Sequence, residues 1–427
     1  MSADTTVNKQ TEQVLANLGS TEEPEVNLPL FPEQIIKGLA REFVDLYSPT
    51  TECPPEFLWS SFMTITGVAL SSFVEWDNDL GIQPRLFTVN IGPSADGRKS
   101  TGARLTTALW LQVLHEMDRS DSETPRLVKG FGSIEGMMAQ LKLRFTKVKG
   151  TDDKYVPEYP PPTTFYVDEL DPIIKRSEMS GSIGTSAIHQ LLDANDFDYP
   201  LKKETLKVRR AYMGVIANCT TPRFRELCNR AMIVGGKRRK IMSNPPSACE
   251  GSRQALVSRI HDLIDTIEPK AQENGGKIRI RFASLEAAER WDWYYTVISK
   301  KSHPILRRID FIGYRLMMIQ ALVKSELVIN VETVEEIITF LNYQIATRQE
   351  LQPNRGRTPI ARIQTRILRQ YKRPEDSWSK RDLQRSTKSG DDSVDEWNQA
   401  FDGLTKNNTL TRDATVTTAN QFRRVEW

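Results

Sequence analysis

The amino-acid sequence predicts an α/β fold, in which helical segments cover a parallel sheet and a small separate unit follows. Apolar, strand-like runs alternate with helical patterns through residues 84–240, an order typical of parallel sheets. After residue 252 the spacing of apolar residues becomes almost entirely helical. Residues 358–427 differ again, because three short helical patterns there precede a hairpin pattern.

The composition is that of a globular protein and excludes a fibrous or wholly disordered chain, since 39% of the 427 residues are hydrophobic and 26% are charged. At about 150 residues per domain, this length predicts roughly three domains. No apolar run approaches the roughly 20 residues that span a bilayer, and no secretory signal is evident, so we expect a cytoplasmic protein without membrane contact. The four cysteines form no CxxC pair and the four histidines no HxxxH pair, which argues against a disulfide framework or a zinc site.

The net charge of +3 conceals an uneven distribution along the chain. Residues 1–60 carry a net charge of −7, whereas residues 352–427 carry fifteen basic and ten acidic residues, a net charge of +5. A basic end favours a nucleic-acid partner, and a solvated charged surface is the alternative of equal weight.

The elements of the predicted sheet follow from short apolar runs and from the polar segments between them. An apolar helix that begins at two prolines precedes the first strand, and residues 147–163 form a polar, proline-rich connection. The predicted strands are residues 84–91, 164–167, 212–217 and 231–234. The predicted helices are residues 99–117, 131–143 and 185–193.

Helical spacing dominates residues 252–349. The exception is residues 277–282, where basic and apolar residues alternate and predict an edge strand. Within the last unit, apolar spacing around Ile363, a capping residue at Ser379 and an apolar stripe through Trp397 predict three helices. The hairpin pattern that follows completes a layout typical of a winged helix.

The strongest local motif reads Gly-Pro-Ser-Ala-Asp-Gly-Arg-Lys-Ser-Thr and lies between a predicted strand and a predicted helix. There, small residues expose backbone N–H groups to phosphates, and the helix dipole favours the anion. A lysine reaches the β- and γ-phosphates of ATP, and a hydroxyl holds Mg²⁺. Arg98 departs from the consensus, in which glycine directly precedes the lysine, so a glycine-rich turn at a helix start is the alternative. The predicted nucleotide-binding residues are Gly92, Gly97, Arg98, Lys99, Ser100 and Thr101, the last two being candidate Mg²⁺ ligands.

Two carboxylates, Asp168 and Glu169, end the apolar run Phe-Tyr-Val. This pattern fits a Walker B strand, in which an aspartate holds Mg²⁺ and the next glutamate activates the attacking water as a general base. An acidic pair after a strand also suits the start of a helix, so the motif gains weight from the loop upstream. Asp168 is therefore a predicted metal ligand, and Glu169 is a predicted catalytic residue.

Further candidates accompany the later strands. Asn218 ends a strand, where an amide either orients water against the γ-phosphate or simply terminates the strand. Arg230 precedes the next strand and is predicted to act as an arginine finger on a neighbouring subunit's nucleotide, with a surface arginine as the alternative. The basic run after that strand contacts a phosphate backbone or forms a solvated loop. It consists of Lys237, Arg238, Arg239 and Lys240.

The order of these motifs resembles a family of P-loop NTPases, long labelled a domain of unknown function, that prophages, plasmids and integrated elements carry, often beside or fused to a primase. The resemblance runs from about residue 43 to residue 234 and continues more weakly to about residue 350. Ser100 stands where that family has glycine, and Thr101 matches its threonine. The other matching pieces are residues 54–57, 97–99, 132–133, 135–136, 168–169, 220–222 and 229–230.

The resemblance implies a RecA/AAA-like P-loop ATPase core and a ring-forming replicative helicase. We therefore expect an ATP- and Mg²⁺-dependent enzyme that acts on DNA in mobile-element replication, as a homo-oligomer such as a hexameric ring, with a primase or other replication proteins as partners. The alternatives are a nucleotide-switched regulator or anti-phage defence ATPase, and a non-catalytic DNA-binding or scaffold protein. The predicted regions are a disordered or weakly docked arm (1–30), an N-terminal helical segment (31–83), the P-loop core (84–250), a helical domain (251–349), a linker (350–357) and a winged-helix domain (358–427).

Contacts between the winged-helix domain and DNA are predicted to avoid its third helix. That helix begins with Asp391, Asp392, Asp395 and Glu396, which suit the helix dipole but repel phosphates. The second helix and the hairpin carry cations, so we expect phosphate contacts without strong sequence preference, and docking on a neighbouring subunit or replication partner is the alternative. The predicted contact residues are Lys380, Arg381, Arg385, Lys388, Arg423 and Arg424.

Overall fold

The computed structural model divides the chain into two compact units, Met1–Leu351 and Gln352–Trp427. Most of the helix predicted at 185–193 falls outside the residues that the structure describes. The described residues are 28–92, 98–118, 125–130, 134–147, 155–170, 190, 194–200, 205–219, 231–236, 247–301, 306–351, 359–371, 373, 376–388, 393–407, 409–413 and 421–425. Across these residues, no helix is long and apolar enough to cross a membrane.

The first unit mixes helices with short strands. Its helices are α1 (Gly38–Tyr47), α2 (Pro55–Leu70), α3 (Lys99–Glu116), α4 (Ile134–Gln140), α5 (Glu250–Glu273), α6 (Leu285–Ser299), α7 (Ile309–Val323) and α8 (Val331–Glu350). Its strands are β1 (Val74–Trp76), β2 (Phe87–Ile91), β3 (Arg126–Lys129), β4 (Arg144–Lys147), β5 (Tyr155–Glu158), β6 (Thr163–Val167), β7 (Phe197–Pro200), β8 (Thr205–Val208), β9 (Met213–Cys219), β10 (Met232–Gly235) and β11 (Ile278–Ile280).

A five-stranded parallel sheet, in the order β10-β2-β9-β6-β3, lies at the centre of the first unit. The parallel sheet predicted from the sequence is therefore confirmed. The strand before the phosphate-loop motif, β2, is separated by β9 alone from β6, the strand before Asp168. Because the strands are parallel, their carboxyl ends meet at one edge of the sheet.

The two faces of the sheet bury different clusters of side chains. Along β6, Tyr166 belongs to the cluster that contains α2 and α3, whereas its neighbour Phe165 packs with Met137 of α4 and with the β7–β8 hairpin. Helix α2 is buried along nearly its whole length. It also bonds to β2, since Ser60 Oγ donates to Asn90 Oδ1 over 2.8 Å. The loop-bearing strand thus rests on a buried helix.

Side chains of α8 close the β10 edge of the sheet. Gln344 Oε1 accepts a hydrogen bond from the Ile233 N–H over 2.7 Å, and Gln344 Nε2 donates to the Ile233 carbonyl. The Tyr343 hydroxyl accepts from the Gly235 N–H over 2.9 Å, and Arg348 donates to the carbonyl just before the strand over 3.2 Å. An open sheet edge leaves such backbone groups unpaired. The helix therefore takes the place of a sixth strand.

Several short strands are absent from the sequence predictions. The strand β11 falls within the predicted edge strand 277–282, and it pairs in parallel with β1, which the sequence pattern does not indicate. The strand β5 pairs with β4 as a hairpin, so part of the polar, proline-rich connection at 147–163 is a strand that the sequence pattern does not indicate. A second hairpin, β7–β8, precedes β9. These strands have three or four residues, and most are partly exposed, so they lack the apolar runs that mark buried strands.

The second unit packs three helices on a three-stranded antiparallel sheet of order β12-β14-β13. Ile363, Leu383, Trp397 and Phe401 are buried in its core, and the last two rings stack with centroids 5.5 Å apart. Trp397 Nε1 donates to Thr387 Oγ1 over 2.9 Å. The elements are α9 (Pro359–Leu368), β12 (Ser377–Ser379), α10 (Lys380–Thr387), α11 (Val394–Lys406), β13 (Leu410–Arg412) and β14 (Gln421–Arg424). The expected hairpin corresponds to β13 and β14, and β12 is an additional strand.

Candidate functional site

The carboxyl ends of three neighbouring strands bring together the strongest sequence candidates. Lys99 is the first residue of α3, the helix that follows β2 and its loop. Asp168 comes directly after β6, and Asn218 lies near the end of β9, in register with Asn90 of β2. Open parallel sheets bind their ligands at the carboxyl ends of the strands. The edge formed here is therefore the candidate site.

Lys99 reaches back from the start of α3 to the end of β2. Its Nζ donates to the Gly92 carbonyl over 2.9 Å. Gly92 is itself closely packed, because a Cβ added there would lie 2.8 Å from the Gly236 carbonyl oxygen. The ammonium thus lies where the predicted phosphate loop leaves the sheet, beside a helix N-terminus that favours anions. Gly97 lies outside the described residues.

Arg98 precedes α3 in the left-handed backbone conformation, with φ of 46°. For a residue other than glycine this conformation costs about 1–2 kcal/mol. The guanidinium of Arg98 is paired with Glu52, since its Nε and Nη2 each lie 2.9 Å from Glu52 Oε2. The structure therefore ties the residue that departs from the loop consensus to the segment before α2. A contact between Arg98 and nucleotide remains a prediction.

The hydroxyl of Tyr166 connects two of the predicted site residues. It donates to Asp168 Oδ1 over 2.7 Å and accepts from Asn218 Nδ2 over 2.8 Å. Asn218 Nδ2 also lies 3.2 Å from Asp168 Oδ1. The Ser100 side chain lies near the same hydroxyl, where it lowers the pKa of Tyr166. Ser100, one of the two candidate Mg²⁺ ligands in the loop motif, thus lies near the hydroxyl that also bonds to Asp168.

Burial raises the pKa of Tyr166 above its ordinary value, and the hydrogen bond to Asp168 and the charge of Asp168 raise it further, against smaller opposing effects of Ser100 and Asn218. Tyr166 is therefore a neutral donor at physiological pH. Asn218 is 1% exposed, and its Oδ1 has no hydrogen-bond partner among the described residues. A buried acceptor without a partner is costly, and here it lies at the end of the central strand.

The carboxylate pair after β6 is exposed, as expected of groups that meet a ligand. The Leu170 N–H donates to the Asn218 carbonyl over 3.0 Å, which ties the segment carrying Asp168 and Glu169 to β9. Arg230 and the basic run 237–240 lie outside the described residues, and their roles stay predictions.

Oxygen ligands at this edge suit Mg²⁺. The Ser100 hydroxyl and the Asp168 carboxylate are hard donors, and Mg²⁺ in nucleotide sites takes one or two carboxylates together with phosphate and water oxygens. Within the described part of the chain, no group of three or more His, Cys, Asp or Glu side chains is placed to hold a metal ion. These two residues would therefore share the ion with the nucleotide's own oxygens.

The predicted DNA contacts of the second unit differ in their surroundings. Lys380 turns towards α11, with its Nζ 3.5 Å from Asp402 Oδ1 and 4.9 Å from the centre of the Phe401 ring. Arg381 and Arg385 are exposed one turn apart on α10. The other predicted cations are Lys388 and Arg423, which are exposed, and Arg424, which is half-buried.

Comparison with known proteins assigns no family: no family model matches the chain, and no curated protein matches it. The class that the fold defines is an α/β protein with a central parallel sheet. Its candidate site combines a lysine at a helix N-terminus with a carboxylate and an amide at the ends of neighbouring strands.

Proposed function

We propose that this protein hydrolyses ATP at the carboxyl edge of its sheet and acts on DNA, as the helicase-like motor of a replicating mobile genetic element. The observation that carries the proposal is the network around Tyr166, which joins Asp168 and Asn218 at the strand ends, with Ser100 at the start of α3 nearby. Motifs that lie far apart in the sequence thereby become parts of one site. The RecA/AAA-like P-loop core remains part of this proposal.

Each residue of the site has a role that its position supports. Lys99 binds the β- and γ-phosphates, while Ser100 and Asp168 hold Mg²⁺. The bound Mg²⁺–ATP supplies a phosphoryl group whose transfer to water releases free energy. Glu169, exposed beside Asp168, accepts the proton of that water as a general base. Asn218, whose side-chain nitrogen contacts Tyr166 and Asp168, is the proposed sensor of the γ-phosphate.

Assembly and DNA contact complete the proposal. We place Arg230 at the nucleotide of a neighbouring subunit in a homo-oligomer, and a primase or other replication protein among the partners. The order helix, strand, helix, helix, strand, strand supports a winged helix in the second unit. Its exposed Arg381 and Arg385, together with the run 237–240, contact phosphates. Reversing both arginines to glutamate is expected to weaken DNA binding and to flatten its salt dependence.

The experiment that tests the site measures ATP binding and hydrolysis by the full chain. Lys99→Ala is expected to abolish nucleotide binding, because it removes a direct phosphate contact. Glu169→Gln is expected to bind ATP and to lose about 10²- to 10⁴-fold in turnover, because an amide cannot accept the proton. Lys300→Ala is the matched control, since Lys300 is an exposed lysine at the end of α6.

The outcomes separate the proposal from its alternatives. Undiminished hydrolysis in a folded Lys99→Ala variant would rule out this site. Hydrolysis that single-stranded DNA stimulates, together with strand displacement, supports a motor. Hydrolysis that DNA leaves unchanged, without strand displacement, supports a nucleotide-switched regulator instead.

A further inference from the structure

A basic cavity of about 1000 Å³ lies beside β3, the edge of the sheet opposite to β10. Its lining includes Pro125 and Arg126, at the amino end of β3, and Pro160 and Pro161, just before β6. Lys129, at the carboxyl end of β3, also lines the cavity, but Lys99, Asp168 and Asn218 of the candidate nucleotide site are not among the described lining residues. The cavity is therefore a separate feature of the first unit.

Cations dominate the charged groups that line this cavity. One carboxylate, Glu158, stands among the described lining residues against four basic side chains. The basic residues are Arg126, Lys129, Lys142 and Arg144. Burial lowers the pKa of Arg126, and the charge of Arg144 lowers it further, as expected where like charges approach each other. A concave surface lined by one sign of charge concentrates counter-ions, and here the counter-ion is an anion.

The hairpin β4–β5 adds aromatic side chains to this basic surface. In its register Phe145 is opposite Pro157, and Lys147 is opposite Tyr155, so these four side chains share one face. Phe145 is 60% exposed and Tyr155 is 58% exposed. The opposite face of the hairpin carries Arg144 and Glu158, which line the cavity. Two large aromatic side chains thus stand in solvent on one face of the hairpin, while the cavity cation Arg144 lies on its other face.

We infer that the cavity and the β4–β5 hairpin bind single-stranded nucleic acid that passes across the hairpin, with its phosphates at the cavity cations on one face and its bases stacked on Phe145 and Tyr155 on the other. A positively charged groove combined with exposed aromatic rings is what such strands require, since unpaired bases offer their flat faces. A duplex hides those faces within its own stack. The inference rests on the proposed function for its role, since it assigns the DNA-contacting surface of the proposed motor.

The stacking of bases on the two aromatic side chains is tested with the full chain in the absence of nucleotide. Binding of a fluorescein-labelled oligothymidylate is followed by fluorescence anisotropy. The double variant Phe145→Ala/Tyr155→Ala is expected to lose about tenfold or more in affinity, because each stacked base is lost. Both side chains are exposed, so the fold tolerates their removal. Tyr295→Ala is the matched control, since Tyr295 is 45% exposed on α6.

The phosphate contacts of the cavity cations are tested by the salt dependence of oligothymidylate binding. For Lys129→Gln/Arg144→Gln the slope of log K against log salt concentration is expected to fall by about 1.4, at about 0.7 for each phosphate contact with a single strand. Both cations are exposed, and glutamine keeps most of their length. Lys300→Gln removes one exposed charge elsewhere and is expected to leave the slope unchanged.

The outcomes are decisive in both directions. Wild-type affinity in both double variants, or absence of oligothymidylate binding by the wild-type chain, overturns the inference. If the oligothymidylate fails to bind and polyglutamate binds through the same residues, an acidic protein segment is the occupant. ATP hydrolysis is measured separately on every variant. A wild-type chain that binds the oligothymidylate through this surface but hydrolyses no ATP supports the inference while the proposed function fails.

Discussion

Tyr166 places one hydroxyl between an exposed carboxylate and a buried amide. Its donated bond fixes the orientation of Asp168, and its accepted bond fixes Asn218. A single oxygen thus orders groups that follow β6 and lie in β9. Loss of this one oxygen atom is therefore expected to disturb the position of both neighbouring side chains.

Removing that atom is the first prediction. Tyr166→Phe keeps the buried ring and is expected to lower the free energy of unfolding by about 1–3 kcal/mol, because the hydrogen bonds to Asp168 and from Asn218 are both lost. It is also expected to raise the Mg²⁺ concentration required for nucleotide binding, because Asp168 is no longer held. Urea unfolding and nucleotide titrations at several Mg²⁺ concentrations measure these effects.

The same substitution has a signature in pH. The raised pKa of Tyr166 means that its neutral form stabilises the folded state fully below about pH 10, its ordinary pKa, and that this contribution is lost as pH rises above it. The Tyr166→Phe variant is expected to lose less stability in that alkaline range than the wild-type chain. Tyr295→Phe, which removes an exposed hydroxyl, is the control. An unchanged Mg²⁺ requirement would argue against the positioning role.

Thiol reactivity is a second prediction at this scale. Burial raises the pKa of Cys53 to about 12, and the residue is fully buried, whereas hydrogen bonds from Ser252 and Gly251 lower the pKa of exposed Cys249. Since the thiolate is the reactive form, iodoacetamide is expected to label Cys249 first and Cys53 only after unfolding. Peptide mass spectrometry distinguishes the two sites. Equal labelling of both in the native chain would contradict the described burial.

At the residue scale, the sequence reveals which groups lie at strand ends and little of how they are joined. Lys99 and Asp168 are recognisable from their places beside apolar runs, and the alternation of a strand puts residue 166 on the same face as residue 168. The contact of Asn218 with Tyr166 spans 52 positions, and that of Arg98 with Glu52 spans 46. No local pattern encodes such distances.

At the scale of elements, the closure of β10 by α8 makes a direct prediction. Gln344→Ala leaves the N–H and carbonyl of Ile233 unpaired inside the protein, at a cost of about 1–3 kcal/mol for each group. Gln349→Ala changes an exposed glutamine near the end of the same helix and is the matched control. Urea unfolding is expected to show a lower midpoint for the first variant alone. Coincident midpoints would mean that β10 does not depend on the helix.

The approach of α3 to α2 makes another prediction. A Cβ at Gly102 would lie 2.5 Å from the Phe57 carbonyl oxygen, so Gly102→Ala must push the two helices apart. The substitution is expected to lower the free energy of unfolding by about 1–3 kcal/mol. It is also expected to weaken nucleotide binding, because Lys99 is the first residue of the displaced helix. At Gly251 of α5 the nearest atom is 4.0 Å away, and Gly251→Ala is expected to be neutral or stabilising. Thermal unfolding and ATP titration compare the pair.

The sequence predicts those helices and strands whose burial produces a recognisable run or spacing of apolar residues. The strands β2, β6, β9 and β10 are fully buried and read as apolar runs, and α3, α7 and α8 follow helical spacing. The hairpin β4–β5 is exposed along its length, so its pairing depends on cross-strand contacts that a local pattern does not report.

For the whole molecule, the two units have separate hydrophobic cores, which predicts separable stability. Trp397 is fully buried in the second core, and Trp397→Ala is expected to destabilise that unit by about 3–5 kcal/mol. Amide hydrogen exchange should then lose protection in α9 to α11 while β2 and β9 keep theirs. Loss of protection in the central sheet would show that the first unit depends on the second.

The dependence of β10 on α8 has a consequence for biosynthesis. The hydrogen-bonded partners Ile233 and Gln344 are 111 residues apart, and the ribosome delivers β10 first. At about 5–20 residues per second, the strand waits roughly 5–20 s for the side chains that cover its edge. A nascent chain that is halted in this interval exposes an uncovered strand to the nascent chains on neighbouring ribosomes of the same mRNA. Polysome density therefore becomes a determinant of how much of this protein reaches its folded state.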